Sequence, residues 1–340
     1  MYTGRNFPLR SMLFWTRHYL FIFLVMSAAV VVLYDIAGMQ WIALPWVPVA
    51  LIGTAVAFLI GFKNNASYGR TWEARKIYGG IVNVSRAYTA MLRDFASFEN
   101  QDNGLDANAL RDHHRKAVKR HIAWLTALRF QLRTPRDWES IVYRSKGRYT
   151  ERFTSVEELK HDLKDVLEPM IEASEFNQVM AKKNRATQLL GLQSKHLKEL
   201  FQLGALDDFR LMELQKLITE MYTLQGKCER IKNFPYPRQF ASLNMHFVWL
   251  FLILVPFGLV KEFAKLGGGL IWLMIPLSMA VCWTFHTMER IGEVTENPFM
   301  GGVYDVPITS ISRGIEIDLL ELIDEKDLPD SIPEQNNTQM

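Results

Sequence analysis

Residues 36–62 run for 27 positions without a charged side chain. About 20 mostly apolar helical residues cross the roughly 30 Å of membrane hydrocarbon, so this block is long enough to span by itself. Three other blocks resemble it: 19–34, 247–260 with the uncharged stretch 240–246 before it, and 266–288. The fourth block also spans outright, whereas the first and third reach spanning length only with their polar flanks. The alternative for any one block is a buried helix of a soluble core. Two closely spaced pairs argue for a membrane instead. The first block is not a cleaved leader, because it lacks a small-residue cleavage site and another long apolar segment follows at once.

Basic residues orient the spans. The link between the first two blocks carries Asp35 and no Lys or Arg. The 260–266 link carries Lys261, Lys265 and Glu262 and is the less decisive of the two. Arg5, Arg10, Arg17, Lys63, Arg70, Arg75 and Lys76 crowd the opposite ends. The positive-inside rule then places both termini and the long middle region in the cytoplasm. Residues 63–245 hold 31 Lys and Arg against 22 Asp and Glu, and residues 289–340 hold 3 against 12. A basic inner region is a topology signal before it is a binding surface. Cys228 and Cys282 fall in different compartments of this topology, so free thiols are expected.

The middle region is too long for a loop and reads as helical. Ile77, Ile81, Val84, Tyr88, Met91, Leu92 and Phe95 recur at three- and four-residue spacing. Val118, Ile122, Leu125 and Leu128 repeat the pattern after a break at Asn103-Gly104. Thr134-Pro135 ends that segment, and a polar loop runs to Thr154. Ser155 with Glu158 is a capping-box pattern opening another helix. A further amphipathic stretch, 209–228, stops at Asn233-Phe-Pro-Tyr-Pro237. The expected fold class is an all-α membrane protein, four transmembrane helices over a helical cytoplasmic body. Its segments are 1–18 (N-terminal), 19–62 (first helix pair), 63–239 (cytoplasmic), 240–288 (second pair), 289–326 (C-terminal, packed on the body) and 327–340 (a polar, disordered tail).

Leu51-Ile-Gly-Thr-Ala-Val-Ala-Phe-Leu-Ile-Gly-Phe62 carries two stripes at four-residue spacing. Gly53, Ala57 and Gly61 form a small stripe that predicts a helix-packing face. Thr54, Phe58 and Phe62 lie about 100° round the helix. In a ring-shaped oligomer they would stack as rings over roughly 12 Å, and apolar rings gate by expelling water. The plainer reading is lipid-facing or ordinary packing. Past the membrane edge, Arg70 and Glu73 are spaced to pair. Glu289, Glu293 and Glu296 form an acidic stripe, read either as a solvated helix face or as a cation-attracting lining. His113, His114 and His121 lack a common zinc spacing and read as solvated, so no metal or cofactor is expected. Gly267-Gly-Gly269 lies in a membrane link, not after a strand, which argues against a phosphate loop. No nucleophile motif is present, and no nucleic-acid partner is expected.

Gly61-Phe-Lys-Asn-Asn-Ala-Ser-Tyr-Gly-Arg-Thr-Trp-Glu-Ala-Arg75 resembles the segment after the pore helix of bacterial bestrophins. Phe58-Leu-Ile-Gly-Phe62 is similar to the family's aromatic neck. Glu296-Asn-Pro-Phe299 with Asp305-Val-Pro307 resembles the signature after its last membrane helix. Pro8-Leu-Arg-Ser-Met-Leu-Phe14 suits its N-terminal segment. The resemblance covers the chain to about residue 325. It implies a homopentamer around one central pore, in membrane lipid, passing monovalent ions. It implies a neck lined by Thr54, Phe58 and Phe62, with isoleucine common at the first position elsewhere in the family. It also implies a second, cytoplasmic constriction, whose counterpart after Leu206-Asp-Asp208 is Phe209. Animal members follow Asn-Pro-Phe with a calcium-binding acidic run. Here Met300-Gly-Gly-Val-Tyr-Asp305 supplies one carboxylate, so no calcium clasp is expected.

These observations together predict a pentameric passive ion channel of the bacterial inner membrane. Animal relatives conduct anions and bacterial ones can prefer cations, so the resemblance to the bacterial branch leans slightly toward cations. The rival classes are a membrane-anchored helical scaffold and a secondary transporter. The transporter is disfavoured because no inverted repeat and no charge at membrane depth is visible.

Overall fold

The computed structural model describes residues 1–97, 107–139, 156–267 and 269–340. Asn103-Gly104, Ser155 and most of the loop before it lie outside these residues. Every regular element described is helical. In chain order they are α1 (Leu9–Val31), α2 (Trp46–Phe95), α3 (Ala107–Arg133), α4 (Leu163–Leu167) and α5 (Ala173–Met180). They continue with α6 (Arg185–Gln202), α7 (Asp208–Asn233), α8 (Arg238–Ala264), α9 (Met274–Thr295) and α10 (Ile308–Leu322). Among the described residues, four helical stretches are long and apolar enough to cross a membrane: Leu9–Ile36, Gln40–Phe95, Arg238–Ala264 and Leu270–Thr295.

The chain divides into two compact units. Gly4–Arg70 with Pro235–Asn297 form the apolar-helix unit. Its core packs Phe23, Val49, Val56, Ile60, Val248, Phe251, Leu252, Val255 and Cys282. Two pairs of polar side chains in this unit satisfy each other, as apolar surroundings favour. Ser27 Oγ meets Ser278 Oγ at 3.0 Å, and Trp283 Nε1 donates to Thr16 Oγ1 at 2.9 Å. Pro256 sits inside α8 and has no N–H for the Leu252 carbonyl. The Cys282 thiol donates to that carbonyl instead, at 3.6 Å, so the free cysteine has a structural task. Cys228 is also free and buried.

Two span boundaries shift from the sequence expectation. α1 begins at Leu9, ten residues before the first uncharged block, because Arg10 and Arg17 lie on its exposed side and do not interrupt the helix. α9 begins only at Met274, after a short 3-10 turn, because Gly267 and Gly269 hold left-handed φ of 67° and 78°.

Gly53 sets the approach of α2 to α8. A Cβ built there would lie 2.6 Å from the Phe251 ring, which is itself packed on Phe285 with centroids 4.7 Å apart. Gly53→Val is therefore expected to cost about 1–3 kcal/mol through overpacking. Gly61 meets nothing within 4 Å, so Gly61→Ala should be neutral or gain up to about 1 kcal/mol of helix propensity. Thermal midpoints of the two purified variants in detergent check this contrast. Equal midpoints would contradict it.

The second unit comprises Met1–Thr3, Thr71–Phe234 and Pro298–Met340. Its core uses the periodic residues the sequence marked: Ile77, Ile81, Val84, Tyr88 and Leu92 of α2, and Val118, Ile122, Leu125 and Leu128 of α3. Trp124 is fully buried and donates to Gln225 Oε1 at 2.9 Å. Asn184 caps α6 through Thr187 N at 3.0 Å, and Asp207 caps α7 through Arg210 N at 2.8 Å. The helix expected after Ser155 is only a 3-10 turn, Glu157–Leu159. The Glu158 carboxylate is buried against Arg129.

Residues of the 327–340 segment pair with others of the second unit. Thr3 N donates to Asn337 O at 2.9 Å, Ser310 N donates to Met340 O at 2.6 Å, and Met340 is buried. Backbone pairing and one apolar side chain hold the segment despite its polar composition.

Candidate pore-lining helix

α2 is a single helix of 50 residues. From its apolar part to the first residues beyond it, the buried positions are Val49, Gly53, Val56, Ile60, Lys63 and Ser67, at alternating four- and three-residue steps. Ala57 and Gly61 are exposed. The small-residue stripe is therefore not the intrachain packing face, apart from Gly53. Branched Val56 and Ile60 offer more apolar surface to α8 and α9 than alanine or glycine, so they turn inward.

Thr54, Phe58 and Phe62 are exposed, the two phenylalanines at 65% and 70%. The Thr54 hydroxyl donates to Ala50 O at 3.0 Å, so its proton stays in the helix and its methyl adds to an apolar stripe. Two exposed aromatic rings one turn apart, on a helix whose other side is fully packed, form a surface made for contacts outside this chain. Phe209 lies in the second unit, in the first turn of α7, and is 83% exposed.

The acidic stripe is not a free acidic face. Glu289 is buried, 2.5 Å from Lys63 Nζ, and also accepts from Asn244. Glu296 is buried, with Arg238 Nη1 3.0 Å from Oε1. Glu293 is partly exposed and pairs with Arg290. A basic partner stands beside each of the three acids. Arg70 and Glu73, spaced to pair, each have a partner from elsewhere in the chain. Arg70 Nε donates to the Glu296 carbonyl at 2.7 Å, and Glu73 meets Arg230 at 2.5 Å.

Asp305 has both oxygens committed. Oδ1 accepts from Phe299 N at 2.9 Å and Val306 N at 2.7 Å. Oδ2 accepts from Gly301 N at 2.7 Å and Arg133 Nη1 at 3.1 Å. A guanidinium and three amides thus surround the loop's one carboxylate. Among the described residues no three His, Cys, Asp or Glu side chains are grouped to hold a metal ion. The histidines expected in solvent are mostly inside. His121 and His114 are buried, and His113 Nδ1 lies 3.0 Å from Nε2 of buried His196. Their helix faces the core, which their polarity concealed. Sequence reasoning missed Lys63, Asn244, Arg129 and Glu158 as buried polar groups. Lys63 and Glu289 stand 226 positions apart, and no local pattern joins them.

The sequence model describing bacterial and fungal bestrophin proteins matches residues 12–321. The chain belongs to this family. Among relatives of this bestrophin is the voltage-dependent anion channel-forming protein YneE of Salmonella typhi, 27% identical over 306 residues, covering 90% of this chain and 86% of the relative. Another is the voltage-dependent anion channel-forming protein RSc3414 of Ralstonia nicotianae, 28% identical, covering 83% of this chain and 79% of the relative. Among solved structures, a bacterial bestrophin homolog from Klebsiella pneumoniae has the same fold, with a TM-score of 0.74 at 24% identity. The match covers 91% of this bestrophin and 98% of that chain. Family membership also excludes the enzyme class.

Proposed function

We propose that this bestrophin is a passive channel for monovalent ions in the bacterial inner membrane, with both termini cytoplasmic. Five copies surround a central pore. The stripe Thr54, Phe58 and Phe62 lines its neck, and Phe209 forms a second, cytoplasmic constriction. The observation that carries this reading is the exposure of Phe58 and Phe62 beside a fully packed opposite face of α2. The relatives' description as channel-forming proteins supports it.

A ring of phenylalanines excludes water from a narrow passage, and truncating it wets the passage. Phe58→Ala and Phe62→Ala are each expected to raise unitary conductance at least about twofold in planar bilayers. Silence of intact pentamers under all ionic gradients would sink the channel reading and favour a membrane-anchored scaffold. Phe209→Ala should change conductance at constant selectivity if the second constriction is there.

Ion sign has one observation for each reading. The relatives' names support anions, and the ion-paired state of Glu289 and Glu296 removes the local argument for cations. The resemblance of 61–75 to the bacterial branch supports cations. The reversal potential of the purified protein under asymmetric sodium chloride distinguishes them by its sign.

A further inference from the structure

Four polar contacts between α2, α8 and α9 fall in one register. Lys63 Nζ lies 2.5 Å from Glu289 Oε1, and Asn244 of α8 donates to the other oxygen of Glu289. Asn64 Nδ2 donates to Met288 O at 3.1 Å, and Arg70 Nε donates to Glu296 O at 2.7 Å. Positions 63 and 70 of α2 meet position 289 of α9 and position 296, the residue that caps its end. The spacing is seven on each helix, so this stretch of α2 lies parallel to α9 over two turns. Gly292 sits between the two contacts. A Cβ there would collide with Asn64 Oδ1, so alanine would turn the Asn64 side chain and disturb its bond to Met288 O.

The Lys63 and Glu289 side chains are 4% and 6% exposed. Apolar residues of similar volume are often at least as stabilising as a buried ion pair, so the pair is weak evidence for stability. What it adds is orientation. Turning α2 by one residue, about 100°, would carry Lys63 out of its buried setting and leave the charge of Glu289 buried without its partner. The same turn would carry Phe62 off its exposed side. Lys63 follows Phe62 directly in sequence, so its charge and the aromatic stripe share one helix setting.

We propose that Lys63 and Glu289 are positioning residues for the neck. Their pair fixes the rotation of α2 that exposes Phe58 and Phe62. By cancelling its own charge, the pair also leaves the inner end of the neck electrically neutral, so that it sets ion selectivity. This rests on the channel reading above.

The test uses the full-length protein in planar bilayers. Lys63→Met leaves Glu289 unpaired and is expected to shift the permeability ratio toward cations. Glu289→Gln leaves Lys63 unpaired and is expected to shift it toward anions. Each shift should reach at least about threefold, as one uncompensated charge about 10 Å away exerts in partly screened surroundings. The double variant Lys63→Met/Glu289→Gln should return the ratio to the wild-type value. Gly292→Ala changes no charge, so it should alter conductance while leaving the ratio unchanged. A merely structural pair would lower stability in both single variants without moving the ratio in opposite directions. Equal ratios in wild type and single variants overturn the proposal.

If the single variants fail to assemble, the double variant and Gly292→Ala still decide it. A wild-type ratio in the double variant with altered conductance in Gly292→Ala supports the pair, and any other combination overturns it. A silent wild type is the failure of the channel reading itself. Thermal midpoints then test the positioning alone: single losses recovered in the double variant support it, and additive losses overturn it.

Discussion

Replacing Glu158 by alanine is expected to lower the stability of the second unit by about 3–5 kcal/mol, because it leaves buried cations without their anion. Glu158 Oε1 lies 2.5 Å from Arg129 Nη1 and accepts from Thr309 Oγ1 at 2.7 Å, and Oε2 lies 4.0 Å from Arg133 Nε. Its side chain has no exposure, and those of Arg129 and Arg133 have 10% and 1%. Burial alone would raise the carboxyl's pKa, but Arg129, Arg133 and the Thr309 hydroxyl outweigh it and hold it below the ordinary value. Arg133 also holds Asp305, and Asp305 anchors the backbone of the turn at 299–306, where buried Phe299 has a φ of 73°. At about 2–4 °C per kcal/mol, the Glu158→Ala midpoint should drop by roughly 10 °C. Replacing Arg129 by methionine in the same chain should recover part of the loss, because one of the stranded charges is then gone. A loss below about 1 kcal/mol, the range of a solvent-screened pair, would show that the cluster is not closed in solution.

Acidification from pH 7 to pH 5 is expected to cost a further, separable amount. His121 and His196 both have pKa values lowered from 6.5 to about 3. For His121 the cause is burial; for His196 it is burial first, then the nearby Arg120 charge. Ser85 Oγ donates to Ile81 O at 2.6 Å, so its single proton is used, and it can only accept from His121 Nε2 at 2.8 Å. That places the imidazole proton on Nε2 and leaves Nδ1 bare and buried, with no acceptor awaiting a second proton. Between pH 6.5 and about 3 the unfolded chain takes up protons that the folded chain refuses. Stability therefore rises with pH across this window and falls on acidification. At pH 5 each histidine contributes a loss of about 2 kcal/mol relative to pH 7, so the pair contributes about 4 kcal/mol. Denaturation midpoints in detergent at the two pH values check the total, and His121→Leu should remove about half of the pH dependence. Identical midpoints for wild type at both values would contradict it. Glu158 acts in the same direction at lower pH, because its stabilisation is lost as pH falls through the lowered folded value.

The helices were legible because their signals are local. Uncharged runs marked the four spans, three- and four-residue spacing marked the buried faces of α2 and α3, and Pro235 with Pro237 marked the break between α7 and α8. The exposed stripe Thr54, Phe58 and Phe62 was legible as a periodicity, and so was its counterpart Gly53, Ala57 and Gly61, of which Gly53 alone packs within this chain. A stripe of small residues states that something could approach closely. It does not state whether the approach comes from the same chain. The histidines and Glu158 were misread, since polar residues on a helix look solvated until their partners are known.

By itself the sequence determined that the chain is helical, where its apolar spans lie, and that α2 carries an aromatic edge. The tertiary structure alone decided which edge of α2 is left uncovered. Helical periodicity arises from neighbours three and four residues apart, which a sequence displays. The rotation of a helix depends on residues that arrive from far along the chain, here Phe251 against Gly53 and Glu289 against Lys63. Branched side chains and one paired charge turn inward because they bury more surface or find a partner there. The phenylalanines are left outside because that setting leaves them no intrachain partner.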